Sequence, residues 1–158
     1  MEEATFNELI RKNSAIISRI CRAYTNGEEE FKDYFQEVSI QLWRSLKSFR
    51  GEAQPSTWVY RVTLNVCLTQ QRKNSIDTVP LQNYDQFEDE VVEKEETIQQ
   101  LYRALKKLPE PDRAVILLYL EDKSYKEMAE ILGISISHVG VKLNRIKAQL
   151  KKMLNGNG

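Results

Sequence analysis

Two carboxylates and an amide recur at helical spacing in the first third of the chain, at Asp33, Gln36 and Glu37. Residues three and four positions apart share one face of a helix, so these groups would form a short acidic stripe. Carboxylates accept charge-assisted hydrogen bonds from arginine, which gives the stripe the chemistry of a protein-docking surface. A solvated helix face without a partner is the alternative, because exposed charges commonly contribute little.

A second set of residues suits contact with a polyanion and lies near the end of the chain. From His138 onward there is no acidic residue, but there are five basic ones: Lys142, Arg145, Lys147, Lys151 and Lys152. At about 100° per residue, one side of a helix here is apolar. It carries Val139, Leu143, Ile146 and Leu150. The apolar side is expected to pack into a core.

The opposite side of this helix is small and polar at its start and basic further on, with Ser137, Val141, Asn144, Arg145 and Ala148. Gly140 lies on its flank. Short side chains allow close approach to the major groove, and lysines can reach phosphates. The cost of a helical glycine, about 1 kcal/mol relative to alanine, would be offset by that approach. A helical hairpin that binds protein is the alternative.

Residue types needed for catalysis or metal binding are scarce. Cys21 and Cys67 sit at apolar helical positions, which indicates small core residues, and His138 is the single histidine. One histidine cannot build a zinc site or a catalytic triad. We therefore expect no metal, no cofactor and no enzymatic activity.

The elements that must position these residues are helices, because apolar residues recur with helical periodicity and strand patterns are nearly absent. The pattern predicts helices over 6–24, 29–49 and 55–73. A further helix lies inside VVEKEETIQQLYRALKKL, and another begins at Pro111 and Asp112. The fold class is all-α.

The last two helices form a helix-turn-helix pattern. Ser124 and Glu127 have the spacing of a capping box, Gly133 suits a left-handed turn, and Ser135 suits the N-cap of the next helix. Two helices joined by a short glycine turn are typical of this motif.

Charge divides the chain into three parts, although its formal net charge is zero. Residues 1–73 carry 11 basic and 9 acidic residues, 74–98 carry 1 and 8, and 99–158 carry 11 and 6. This predicts two small helical domains, 1–73 and 99–154, an acidic flexible linker over 74–98 and a flexible tail over 155–158. Solvated charged faces are the alternative interpretation of the basic parts.

No apolar run approaches the roughly 18 residues of a membrane span, and the N-terminus lacks a signal-peptide core, so we expect a cytoplasmic protein without direct membrane insertion.

Two long stretches resemble a known family. LPEPDRAVILLYLEDKSYKEMAEILGISISHVGVKLNRIKAQLKK resembles the C-terminal domain of bacterial RNA polymerase sigma factors, and DYFQEVSIQLWRSLKSFRG followed by STWVYRVTLNV resembles their N-terminal domain. Their order, spacing and short total length are similar to the extracytoplasmic-function (ECF) group of the sigma-70 family. The resemblance implies a factor that directs core RNA polymerase to promoters and helps to melt them.

The resemblance also implies partners. The face of the second helix that carries Asp33, Gln36, Glu37 and Trp43 would dock on the β′ clamp of the polymerase, and the C-terminal domain would meet the β flap. The linker would thread a positively charged channel of the enzyme; extended, it reaches at most about 80–90 Å. An anti-sigma factor, often membrane-anchored in the family, is a further expected partner.

In the N-terminal domain, the resemblance places contacts to the minus-ten element on polar residues around FRGEAQPSTW and along the following helix. These are Arg50, Gln54, Ser56, Thr57, Arg61, Asn65 and Arg72. Trp58 and Tyr60 have two interpretations, as aromatics that stack on bases or as core residues, and the second is favoured for Trp58.

In the C-terminal domain, the resemblance places minus-thirty-five contacts on the outward side of the last helix, at Ser137, Gly140, Val141, Asn144 and Arg145. Phosphate contacts fall on Ser124, Tyr125 and Lys126, at a helix N-terminus. His138 is either a DNA contact or an exposed helix residue. Many ECF members have a basic residue at the place of Gly140 and serine at that of Val141, so promoter sequences of other members are not expected to transfer.

Two competing functions remain at this stage. A helix-turn-helix regulator that acts without polymerase would bind palindromic DNA as a dimer, and it leaves the acidic stripe without a role. An adaptor that binds only proteins does not explain the basic segment after His138.

Overall fold

The all-α prediction is confirmed by a computed structural model of the chain, which describes residues 2–46, 55–77 and 96–156. The described residues form seven α-helices and contain no strand. The helices are α1 (Glu2–Ala23), α2 (Glu28–Ser45), α3 (Pro55–Asp77), α4 (Glu96–Lys106), α5 (Glu110–Leu120), α6 (Tyr125–Leu132) and α7 (Ile136–Gly156). They group into two units, α1–α3 and α4–α7.

In the first unit, the three helices pack on one another around an apolar core. Ile17, Ile20, Val38, Leu42 and Val59 have no exposed surface, which matches the apolar stripes of their helices. Cys21 and Cys67 are buried in this core and are not joined in a disulfide, so their interpretation as small core residues is confirmed.

A polar link joins all three helices of the first unit. The Gln71 Nε2 group of α3 donates to the hydroxyl of Tyr34 on α2 at 2.8 Å and to the carbonyl of Tyr24, just after α1, at 2.7 Å. The Asn74 amide also donates to the Tyr34 hydroxyl, at 3.4 Å. Burial raises the pKa of Tyr34 well above its ordinary value.

Three helix ends differ from those predicted. α1 begins at Glu2 rather than Phe6, and α3 continues to Asp77 rather than ending near Lys73. Gln71 and Asn74 explain the longer α3, because their bonds to Tyr34 keep its last turns attached to α2. α7 runs to Gly156, into the predicted tail, and ends at a residue type that commonly stops helices. The end predicted for α2 at Phe49, and most of the predicted linker, lie outside the described residues.

In the second unit, α5 is the central element and is buried from Asp112 to Leu118. Arg113 lies in this buried stretch, and its Nη2 group donates to the carbonyls of Lys106 and Leu108 at 3.1 and 3.0 Å. The Lys106 carbonyl belongs to the last turn of α4, where a cation is favoured by the helix dipole, and Leu108 lies two residues beyond that helix. Arg113 therefore fixes the turn between α4 and α5.

The helix-turn-helix prediction is confirmed in its local details. The Ser124 hydroxyl accepts from the Glu127 N–H at 3.1 Å, and the Glu127 carboxylate accepts from the Ser124 N–H at 2.8 Å. Gly133 adopts φ 72°, and its N–H donates to the Ala129 carbonyl at 2.8 Å. Ser135 caps α7, with its hydroxyl accepting from the His138 N–H at 3.1 Å.

Candidate functional site

The outer face of α2 carries the acidic stripe. Asp33 and Gln36 are exposed, whereas Tyr34, Val38 and Leu42 are buried on the opposite side. Glu37 is half-buried at the edge of the stripe, and its carboxylate accepts from the Gln41 amide at 3.0 Å. The stripe therefore presents two carboxylates and an amide on one accessible surface.

Apolar side chains continue this face toward the end of α2. Trp43 is 44% exposed and meets Phe6 of α1 edge-to-face, with ring centroids 5.1 Å apart. Ile40 is also exposed, between Gln36 and Trp43 on the same face. Sequence reasoning missed Ile40, although its spacing from both neighbours could have revealed it. We call Asp33, Gln36, Glu37, Ile40 and Trp43 the docking face.

Along α3, three of the residues expected to contact DNA share one exposed side: Arg61, Asn65 and Arg72. Ser56 is half-buried, and Thr57 is only 6% exposed, so little of the Thr57 side chain is accessible in this structure. Arg50 and Gln54 lie outside the described residues. Their roles, like those of the exposed residues, stay predictions.

The two aromatic residues of α3, Trp58 and Tyr60, differ in how far they are buried. Tyr60 is 1% exposed and belongs to the core, so the stacking interpretation is wrong for its ring in this structure. Trp58 is half-buried. The spacing of Tyr60 from Leu64 and Cys67, four and seven residues on, could have identified it as a core residue.

On α7 the predicted division into two sides is confirmed. Val139, Leu143 and Ile146 are fully buried and Leu150 is buried. Ser137, His138, Val141, Asn144 and Arg145 are exposed. The side expected to meet DNA is thus accessible, including a large exposed apolar group at Val141. The exposure of His138 is compatible with both interpretations given above.

Gly140 lies beside the side chain of another helix, Tyr125 of α6. A Cβ atom at this position would lie 3.5 Å from Cε2 of Tyr125, an ordinary van der Waals distance. The Tyr125 ring, at the start of α6, therefore lies over the backbone of α7 while remaining partly exposed. Close packing against Tyr125 is a second reason, beside approach to DNA, for a small residue here.

The start of α6 combines the other residues expected to contact phosphate. Ser124 and Lys126 are exposed, and Ser124 is also committed to the capping box. The hydrogen bond from the Ser124 N–H holds the pKa of Glu127 below its ordinary value. The first turn of α6 is therefore rigidly capped, which fixes the direction of its N-terminal N–H groups.

Arg145 has an intramolecular partner that the sequence did not reveal. Its Nη1 and Nη2 atoms lie 3.2 and 3.4 Å from the Oδ2 and Oδ1 atoms of Asp112 on α5. Lys142 Nζ lies 3.8 Å from Oδ1 of the same carboxylate. The available signal was an acid directly before Arg113 and a long apolar run, in DRAVILLYL.

Within the described ranges, no group of three or more His, Cys, Asp or Glu residues is arranged to hold a metal ion. Of the helices described, none is long and apolar enough to cross a membrane.

Two family models match the chain, one on each unit. "Sigma-70 region 2" matches residues 9–76, and "Sigma-70, region 4" matches residues 98–150. The chain is 30% identical over 172 residues to "ECF RNA polymerase sigma factor SigW" of Bacillus subtilis (strain 168), covering 97% of this chain and 90% of SigW. It is 28% identical over 151 residues to "ECF RNA polymerase sigma factor SigM" of Mycobacterium tuberculosis (strain ATCC 25618 / H37Rv), covering 94% and 76%.

The fold is similar to that of two solved structures. One is CnrH in complex with the cytosolic domain of CnrY, with a TM-score of 0.75 and 20% identity, covering 99% of this chain and 91% of that chain. The other is the sigma factor RpoE in complex with the anti-sigma factor NepR from Bartonella quintana, with a TM-score of 0.75 and 18% identity, covering 96% and 97%. At these identities the likeness concerns the fold.

Proposed function

This chain belongs to the extracytoplasmic-function group of the bacterial sigma-70 family, and we propose that its two helical units divide the recognition of polymerase and promoter between them. It is a sigma factor that directs core RNA polymerase to promoters. The observation that carries this conclusion is the match of region 2 and region 4, in that order, to α1–α3 and α4–α7. A regulator that acts without polymerase is not favoured, because it gives the region 2 unit no role.

The docking face of α2 is proposed to bind the β′ clamp of the core enzyme. The exposed Asp33 carboxylate, the half-buried Glu37 carboxylate and the Gln36 amide oxygen supply hydrogen-bond acceptors for arginine side chains of a partner helix. Ile40 and Trp43 add apolar area at one end, and an exposed tryptophan held by Phe6 suits an interface anchor. Polar and apolar contacts on one face together favour a specific protein interface over a merely solvated helix.

Charge reversal at Glu37 tests this docking. The Glu37→Arg variant should bind core polymerase at least about tenfold more weakly, because a cation replaces an acceptor opposite arginine side chains. A fluorescence titration with core enzyme measures the loss. Glu28→Arg is the matched control, since it makes the same charge change roughly two and a half turns away, on the other side of α2. Equal core affinity for Glu37→Arg and the wild type would show that the docking assignment is wrong.

Residues of the first unit are proposed to hold the melted minus-ten strand. Arg61, Asn65 and Arg72 form an exposed line along α3 that could follow a phosphate backbone. Ser56, Thr57, Arg50 and Gln54 are proposed to surround a flipped base, and the small accessible part of Thr57 limits it to a contact at the edge.

The second unit is proposed to bind the minus-thirty-five element with α7 in the major groove. Ser137, Val141, Asn144 and Arg145 are exposed on the side that would face the bases, with Gly140 and His138 beside them. Val141 offers methyl groups that suit thymine. Ser124, Tyr125 and Lys126 lie at the capped N-terminus of α6, where phosphate is favoured.

Residues 74–98 are proposed to connect the two domains, 1–73 and 99–154, as an acidic linker within the polymerase. The second unit is proposed to meet the β flap.

We further propose that the chain acts by binding and is not an enzyme, and that it works in the cytoplasm, where polymerase and promoter DNA are. Because RpoE is in complex with the anti-sigma factor NepR, and CnrH with the cytosolic domain of CnrY, an anti-sigma factor is proposed for this chain too.

Transcription in vitro tests the function as a whole. The protein is mixed with core polymerase and a library of promoter fragments, and the run-off transcripts are sequenced. We expect initiation from a subset of templates that share two elements. Folded protein that supports no initiation from any template would contradict the proposal.

A further inference from the structure

The Asp112 carboxylate is buried at the start of α5 but is directed to the helix expected to meet DNA. Its side chain is 8% exposed, whereas that of Arg145 on α7 is 53% exposed. Both terminal nitrogens of Arg145 lie within hydrogen-bond distance of the carboxylate. The pair thus joins a buried acid to an accessible base on the proposed DNA-binding side of α7.

This geometry fixes the guanidinium of Arg145. A two-point contact restrains the plane of the group as well as its position, which a single hydrogen bond would not do. The contact uses the two terminal nitrogens and leaves the edge that carries Nε–H for another acceptor. Arg145 can therefore present an oriented donor edge to DNA while it remains bound to Asp112.

Burial makes the contact persistent. A buried carboxylate without a partner is costly, so Asp112 retains its cations, unlike the members of an exposed ion pair. Lys142, 26% exposed, lies on the other flank of the same carboxylate. One acid thus restrains two cations on α7 and offsets part of their positive charge.

We propose that Asp112 is a positioning residue for promoter recognition, whose carboxylate orients Arg145 so that α7 selects its minus-thirty-five sequence. The inference rests on the proposed function of α7. It assigns to Asp112 an effect on selectivity among DNA sequences, in contrast to a general effect on DNA affinity.

The test compares Asp112→Asn with the wild type in holoenzyme assembled from the full chain and core polymerase. The best site selected by wild-type holoenzyme and an unrelated duplex are titrated over a range of salt concentrations. For Asp112→Asn we expect the preference for the selected site to fall about tenfold. The salt slope on the unrelated duplex should steepen by up to about one phosphate contact, because the variant loses the one negative charge that offsets Arg145 and Lys142.

Two further variants separate positioning from charge. Asp122→Asn removes one acid of the same unit at an exposed site, and asparagine tolerates its positive φ of 64°. It should keep the wild-type preference. Asp112→Glu keeps the charge but displaces the carboxylate, and it should lower the preference without a steeper salt slope.

A double variant tests whether Asp112 acts through Arg145. In an Arg145→Gln background, Asp112→Asn should change the preference by less than about twofold. The inference is overturned if folded Asp112→Asn and Asp112→Glu both keep the wild-type preference, or if Asp112→Asn acts in full without Arg145. Wild-type holoenzyme that selects no DNA site would instead contradict the proposed function itself.

Discussion

Two glycines of the second unit lie in different backbone conformations and surroundings. Gly133 has φ 72°, a left-handed conformation that other residues adopt at a cost, although nothing lies within 4 Å of a Cβ placed there. Gly140 is helical, and its Cβ would make an ordinary contact with the Tyr125 ring. The backbone conformation therefore favours glycine at 133, whereas position 140 has room for a methyl group beside the Tyr125 ring.

The two positions should respond oppositely to alanine. Gly140→Ala should stabilise the second unit by up to about 1 kcal/mol, because alanine is the better helix former and its methyl group fits beside Tyr125. Gly133→Ala, the matched control, should destabilise the unit by about 1 kcal/mol. Thermal unfolding followed by circular dichroism measures both. A loss of stability in Gly140→Ala would mean that the Tyr125 ring cannot accommodate the methyl group.

At the scale of elements, the first unit is held by one glutamine as well as by its apolar core. Gln71 contacts the Tyr34 hydroxyl and the Tyr24 carbonyl, and so it joins α3 to α2 and to the end of α1. The Tyr34 hydroxyl is buried and therefore needs these partners. This link holds α3, which carries the exposed residues proposed to contact the minus-ten strand, against α2 and the end of α1.

Alkaline pH should weaken this packing. The pKa of Tyr34 is raised by burial, so near and above pH 10 the unfolded chain loses the phenol proton while the folded chain keeps it. Stability is thus unaffected by this group below about pH 10 and falls as pH rises further, by up to about 1.4 kcal/mol per pH unit. Urea unfolding monitored by tryptophan fluorescence reports this unit, since Trp43 and Trp58 both belong to it.

The Tyr34→Phe variant separates this effect from general alkaline denaturation. It should be less stable at neutral pH, because the Gln71 amide loses an acceptor, but its stability should decline less between pH 9 and 11. Tyr125→Phe, in the other unit, should leave the alkaline decline of the first unit unchanged. An identical decline in Tyr34→Phe and the wild type would refute the role of this phenol.

At the scale of the whole molecule, charge is distributed unevenly along the chain. The parts that contain the two units are net basic, by 2 and 5 charges, and residues 74–98 are net acidic by 7. Basic parts suit contact with promoter DNA, and an acidic segment suits a positively charged channel. The neutral total therefore hides two basic parts and one acidic part.

Removing negative charge from residues 74–98 should impair transcription initiation more than binding to core polymerase. Replacing Asp85, Glu88, Asp89 and Glu90 by their amides keeps the length of the connection while removing four negative charges. Run-off transcription should fall several-fold, whereas core binding through α2 should be retained. A variant with the order of residues 79–95 scrambled has the same charge and length, and it should initiate normally. Full initiation by the neutral variant would show that the acidity has no role.

Local patterns in the sequence were sufficient to predict the helices, the turn between α6 and α7, and the exposed sides of α2 and α7. The capping box at Ser124, the turn at Gly133 and the buried side of α7 each depend on residues a few positions apart. Such short-range patterns are visible in one dimension because helix geometry fixes which neighbours meet. The acidic stripe of Asp33, Gln36 and Glu37 was predicted for the same reason, whereas Trp43 was added by the family resemblance and Ile40 was missed.

Contacts between helices were decided by the tertiary structure. Nothing in the periodicity of α7 indicates that Asp112 lies opposite Arg145, 33 residues away. Nothing in the periodicity of α3 indicates that Gln71 bonds to Tyr34, 37 residues away. Periodicity specifies which side of a helix faces inward, but the side chain it meets there depends on how two helices cross. The sequence by itself therefore determined an all-α sigma factor with a helix-turn-helix, and packing alone determined which acid holds Arg145.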